Sequence, residues 1–200
     1  MNRHDEIKTR FEVNLSRVES IIDTYEVLID QGSADHSDLL RAGVVFLHTS
    51  LEDLLRSLAE WKLPSADSRL LSNIPLINLS RGQKFDLGEL AKHRGKTVDQ
   101  LIQESVDGHL ARVSYNNYDE VASLLETLGL NAKNSFGPHA KDLTSLMARR
   151  HMIVHRADRH VPLGTAENNN KSIELENVQQ WLDDVRRFSL SILQRIMELE

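Results

Sequence analysis

The sequence predicts an all-α bundle of antiparallel long helices with a short irregular insert, and three observations carry that prediction. Apolar residues recur at steps of three and four along most of the chain, the period of one helical face. Aromatic residues make up only 5% of the chain while leucine is abundant, which suits helix-on-helix packing better than a sandwich or barrel. No segment shows the strict alternation of a half-buried strand. With 200 residues, 40% of them apolar, the chain can bury a substantial core and is expected to form one domain over 1–200.

The elements follow in order. Ile7, Phe11, Leu15, Val18, Ile22, Tyr25 and Ile29 mark a first helix, with Gly32 as its stop and a turn rich in capping residues after it. A second helix is expected from Ser37 to Trp61, ending before Pro64, with Leu40, Val44, Leu47, Leu51, Leu54, Leu55 and Leu58 as its stripe. The short link makes these two an antiparallel hairpin. From Pro64 to Gly95 the pattern weakens, because Pro75, Gly82 and Gly88 interrupt it, and only a short helix fits within Lys84 to His93. Thr97 is placed to cap a helix containing Val98, Leu101, Ile102 and Val106, with Asp99 and Gln100 in its first turn. Tyr115-Asn116-Asn117-Tyr118 is a break, and Asp119 to Leu128 forms the next helix, stopped by Gly129. A helix from Pro138 to His160 follows, proline being tolerated in a first turn. An exposed loop around Pro162, Gly164 and Asn168-Asn169-Asn170 leads to a last helix carrying Val178, Trp181, Leu182, Val185, Phe188, Ile192 and Ile196.

Composition narrows the chemistry. There is no cysteine, which excludes disulfides, thiolate metal sites and cysteine nucleophiles and fits a reducing, cytoplasmic setting. The first fifteen residues are polar or charged from the second position and hold no apolar signal core, and no apolar run approaches the roughly 20 residues that span a bilayer. A soluble protein with no membrane association is expected. The net charge of −6 argues against a protein that coats nucleic acid nonspecifically, while leaving room for a local phosphate site.

One helix departs from the ordinary pattern. With Leu143 at zero and about 100° per residue, Leu143, Leu146, Met147, Ile153, Val154 and Ala157 form one apolar stripe with Arg150 in its middle. A guanidinium keeps its proton, so there it needs a carboxylate, a phosphate or water. His151, His155 and Asp158 lie on the flank of that stripe, the two histidines four apart and so neighbours. On the second helix Arg41, His48 and Glu52 share one flank of the leucine stripe, with Arg56 nearby, and Glu52 is the expected partner of a buried Arg150 if the helices pack.

Three chemistries suit this cluster. RNA carries its own nucleophile, so phosphodiester cleavage needs a base, for which His155 is suited, and a cation for the developing charge, for which Arg150 is suited. His151, beside both, would bind or orient the phosphate. A metal site is the second: His151 and His155 have the spacing of zinc helices, but the glutamate that follows the first histidine in that motif is replaced by Met152, and His160 is a third ligand only if the helix breaks. In the third, Arg149, Arg156 and Arg159 form a solvated or phosphate-steering face, the histidines are ordinary surface residues, and Glu52–Arg150 is a structural ion pair. Four arginines and three histidines between Arg149 and His160, in an acidic chain, weigh against it.

Arg150-His151-x-x-x-His155 resembles the Arg-x(4–6)-His signature of the HEPN superfamily, in which a polar residue commonly follows the arginine. The phrase RRHMIVHRADR is similar to the RiboL-PSP-HEPN branch, as are RAGVVFLHTSLEDLLR from Arg41 to Arg56 and VSYNNYDEVASLLETLGL from Val113 to Leu130. The resemblance implies a HEPN-like helical bundle that dimerises so that two motif helices line one RNA cleft. It implies a metal-independent endoribonuclease of toxin–antitoxin, phage-defence or stress systems, with no cofactor and with an antitoxin or defence-system partner protein. Carried over by position, Arg150 and His155 are catalytic and His151 is the polar motif residue. Glu52, Asp158 and His48 are supports inferred from the residues themselves, and Arg149, Arg156 and Arg159 are expected to contact substrate. A non-catalytic interaction or RNA-binding module is the alternative.

Overall fold

The computed structural model describes residues 2–31, 36–77, 86–159 and 171–199. Helices α1 (Arg3–Asp30) and α2 (Ser37–Lys62) form the expected hairpin. Each buries the stripe its sequence marks: Ile7, Phe11, Leu15, Val18 and Ile22 on α1, and every leucine from Leu40 to Leu58 on α2, with Val44. Tyr25 is only partly buried and Ile29 is exposed, so α1 leaves the core in its last turns. Asn2 caps α1 by accepting from the Asp5 N–H at 2.8 Å.

Four short or medium helices follow α2. A 3₁₀ turn at Leu63–Ser65 begins the irregular segment, which then carries α3 (Ser68–Leu71) and α4 (Leu87–Ala91). Within α5 (Val98–Leu110), the Thr97 side chain accepts from Gln100 N–H at 3.1 Å while the Gln100 side chain accepts from Thr97 N–H at 2.9 Å. This reciprocal box satisfies two backbone donors that a helix start otherwise leaves open. Helix α6 (Tyr118–Thr127) is capped by Asn117 and ends at Gly129, whose φ of +79° suits a residue without Cβ.

The helix expected from Pro138 to His160 is shorter at both ends. A short helix α7 (Ala132–Ser135) and a 3₁₀ turn at Gly137–His139 precede α8 (Ala140–Arg156). α8 ends four residues before the expected terminus. Ala157 and Asp158 both take left-handed backbone, with φ of 47° and 58°, where a non-glycine residue cannot continue a right-handed helix. The chain then reaches α9 (Leu175–Glu198), whose expected stripe from Val178 to Ile196 is buried throughout.

Helix α2 is central: it packs against α1, α5, α6, α8 and α9, and α9 closes the other side against α1 and α8. Phe136, Phe188 and Tyr118 meet edge to face near the start of α8. Among the described residues there is no β-strand, and no helix is long and apolar enough to cross a membrane. Gly32, Gly82, Lys84, His160 and the loop from 161 to 170 lie outside the described residues.

Candidate functional site

Helix α8 has two unlike halves. Leu143, Leu146 and Met147 anchor its first turns in the core. Beyond Arg150 it rises from the bundle: Ile153 is only partly buried, Val154 is 46% exposed, and His151, His155 and Arg156 are exposed. The expected stripe does not extend to Val154 and Ala157, which are both exposed. His151 and His155 stand together as expected, ring centroids 4.7 Å apart and tilted by 46°.

The two neighbouring arginines differ from expectation in their partners. Arg149, expected as a substrate-contacting surface charge, is 7% exposed and is buried under the end of its own helix. Its Nη2 donates to Asp158 Oδ2 at 2.6 Å and to the carbonyls of Lys171 at 2.8 Å and Ser172 at 3.1 Å. The left-handed pair at Ala157 and Asp158 folds the aspartate back beneath α8, which a helix continuing to His160 would not do. Arg41 of α2 donates from Nε to the same Oδ2 at 2.8 Å and from Nη2 to the Lys171 carbonyl at 3.0 Å. Asp158, 1% exposed, therefore holds Arg149 and Arg41. Burial pulls the Arg149 guanidinium below its ordinary pKa; Asp158 opposes this and the charge of Arg41 adds to it. A guanidinium nonetheless keeps its charge.

Arg150 is half-buried, and among the described residues it has no carboxylate partner; its buried Nε makes no hydrogen bond. The expected Glu52–Arg150 pair is absent there. Glu52 turns instead to Arg56 on its own helix, 3.5 Å away, and lies 4.0 Å from His48 Nδ1. Arg56 is tied down in turn: it donates to the Leu110 carbonyl and, at 2.8 Å, to that of Val113, and stands over the Tyr115 ring. The i, i+4 geometry within α2 wins over the cross-helix contact.

His48 lies between these groups, 1% exposed. Burial pushes its pKa down to about 4, the Arg150 charge adds to the depression, and a hydrogen bond with the Tyr115 backbone opposes it. His48 is therefore neutral near pH 7, and its Nδ1 is a buried atom without a hydrogen bond. Two buried nitrogens without a hydrogen bond, one on Arg150 of α8 and one on His48 of α2, thus lie on helices that pack together. Arg156 and Arg159 are exposed, as a phosphate-contacting role requires. Among the described residues no group of three or more His, Asp or Glu is arranged to hold a metal ion.

Sequence reasoning passed over the role of Arg41. Its place on the flank shared with His48 and Glu52 was the available signal, but its partner stands 117 positions further on.

An all-α bundle presenting an Arg-x(4)-His helix end in this way is HEPN-like in class. The chain belongs to the RiboL-PSP-HEPN family, whose sequence profile matches residues 12–198. No curated protein matches the chain, and no solved structure does. Membership of the HEPN superfamily points to a nuclease or RNA-related function.

Proposed function

We propose that the protein is a metal-independent endoribonuclease that cuts RNA by attack of the 2′-hydroxyl on the adjacent phosphate, leaving a 2′,3′-cyclic phosphate. The observation that supports this most is the end of α8. There an exposed imidazole pair stands clear of the core beside Arg150, whose charge no described carboxylate neutralises. Arg156 and Arg159 add positive charge on the exposed side of the same segment.

In this reading His155 takes the 2′-hydroxyl proton as the 2′-oxygen bonds to phosphorus. The bond from phosphorus to the 5′-oxygen breaks, and that oxygen leaves with the electron pair and takes up a proton. Arg150 and His151 hold the non-bridging oxygens, where negative charge grows; a planar guanidinium suits that task. The reading includes a homodimer in which the exposed last turns of α8 from two copies face one another across the RNA. A cytoplasmic toxin or defence effector, held in check by a partner protein, fits such a site.

The test is cleavage of a defined RNA by purified protein in EDTA, with analysis of the new 3′ ends. The expected products carry 2′,3′-cyclic phosphate, and His155→Ala abolishes them. Cleavage lost to chelator, or untouched in His155→Ala, sinks the mechanism. Tight RNA binding with no turnover instead makes the protein a binding module.

A further inference from the structure

We infer that Arg41, Asp158 and Arg149 form a buried clamp that positions His155, so that they are positioning residues of the proposed ribonuclease; the inference rests on that reading of the site. The clamp lies where α8 ends, one residue beyond Arg156. Two consecutive non-glycine residues, Ala157 and Asp158, hold left-handed backbone there, and such conformations persist only where surrounding contacts over-determine them.

Asp158 Oδ2 accepts from Arg41 on α2 and from Arg149 on α8, so one oxygen joins the two helices. Both guanidiniums also donate to the Lys171 carbonyl, and the Lys171 N–H donates to the Asp158 carbonyl at 3.0 Å. The approach to α9 is thereby tied to the same point. Arg41 is held from its other side by Ser37 Oγ at 2.6 Å and Asp38 at 3.1 Å. Within the turn, the Met152 carbonyl accepts from both the Ala157 and Asp158 N–H groups.

His155 stands two residues before this left-handed pair and is exposed, so core packing does not hold it. Its backbone direction is set from below, by the clamp. Such precision matters, since a misplacement of about 1 Å can cost about 10²-fold in rate. Arg149 is adjacent to the reactive Arg150 yet faces the clamp, which explains why two arginines stand side by side here.

Arg41→Met is the cleanest probe, because it leaves Arg149 and Asp158 as a one-to-one pair and removes only the tie to α2. We expect kcat on RNA in EDTA to fall about 10- to 100-fold with KM and melting temperature near wild type. Arg41→Lys, which can replace one of the lost hydrogen bonds, should recover part of the rate. Asp158→Asn should move kcat in the same direction. A readout independent of activity is the ¹³Cε1 resonance of His155 in histidine-labelled protein, assigned with His155→Gln. In Arg41→Met it should shift or split while that of His4 stays put. Wild-type kcat and an unmoved His155 resonance in Arg41→Met overturn the clamp's role. If wild-type protein cuts no RNA, the ribonuclease reading fails, and the His155 resonance alone decides whether the clamp positions the residue.

Discussion

Arg149 and Arg150 are neighbours in the chain and opposites in the fold. Arg149 is buried with a carboxylate and two carbonyls as acceptors, whereas half-buried Arg150 has an unsatisfied Nε and no described carboxylate near it. One step of about 100° around a helix separates a charge used for architecture from a charge left available. A paired buried arginine has its electrostatic demand met inside the protein. One with no carboxylate partner among the described residues, beside a neutral histidine and two exposed imidazoles, retains attraction for an anion from outside. The difference lies in what the α8 terminus brings to each, not in residue type.

The comparison breaks most visibly at Asp158. Asp158→Ala leaves buried Arg149 without its carboxylate, and about 3–5 kcal/mol of stability should be lost, read by urea denaturation. A loss under about 1 kcal/mol would mean the cluster is no more than a surface ion pair.

The next effect belongs to the Arg150 side. The His48 pKa is depressed in the folded protein to about 4 from 6.5, so the unfolded chain binds the extra proton between those values. Its contribution to stability is full above pH 6.5 and is lost as pH falls toward 4, a change of about 3 kcal/mol. Denaturation across that window should show the slope in wild type and a shallower one in His48→Gln. Equal slopes would show that His48 is not the group responsible.

A smaller effect sharpens the same point. Because the Arg150 charge is the second cause of that depression, Arg150→Met should raise the His48 pKa part of the way back toward 6.5. A histidine NMR titration measures it. No change would separate the two residues and weaken the division between the two arginines.

How much of this was legible in the sequence follows from range. The stripes of α1, α2 and α9 were readable because helical period is a local property and burial followed it, as did the Thr97 box. The histidine pair was readable for the same reason, since i, i+4 spacing fixes adjacency. The roles of the arginines were not. The wheel that put Arg150 mid-stripe assumed a helix running on to His160, while α8 ends at Arg156 in a left-handed turn made by an alanine and an aspartate. Neither residue signals a stop as glycine or proline would. Once that turn is missed, Asp158 stays on the flank, Arg149 looks solvated, and Arg41 has no visible partner. Glu52 was misassigned for a related reason: a cross-helix contact was expected where neighbours on its own helix were nearer.

In the proposed ribonuclease Arg150, and not Arg149, acts with His155 on RNA. Measuring the initial rate of RNA cleavage in EDTA for Arg150→Ala, together with its thermal unfolding, tests this most directly. The expected rate is at least about 10²-fold below wild type, the scale of losing one preorganised donor to a developing anion, with a nearly unchanged melting temperature. Cleavage at the wild-type rate, or a loss of rate that only tracks unfolding of the variant, would contradict it.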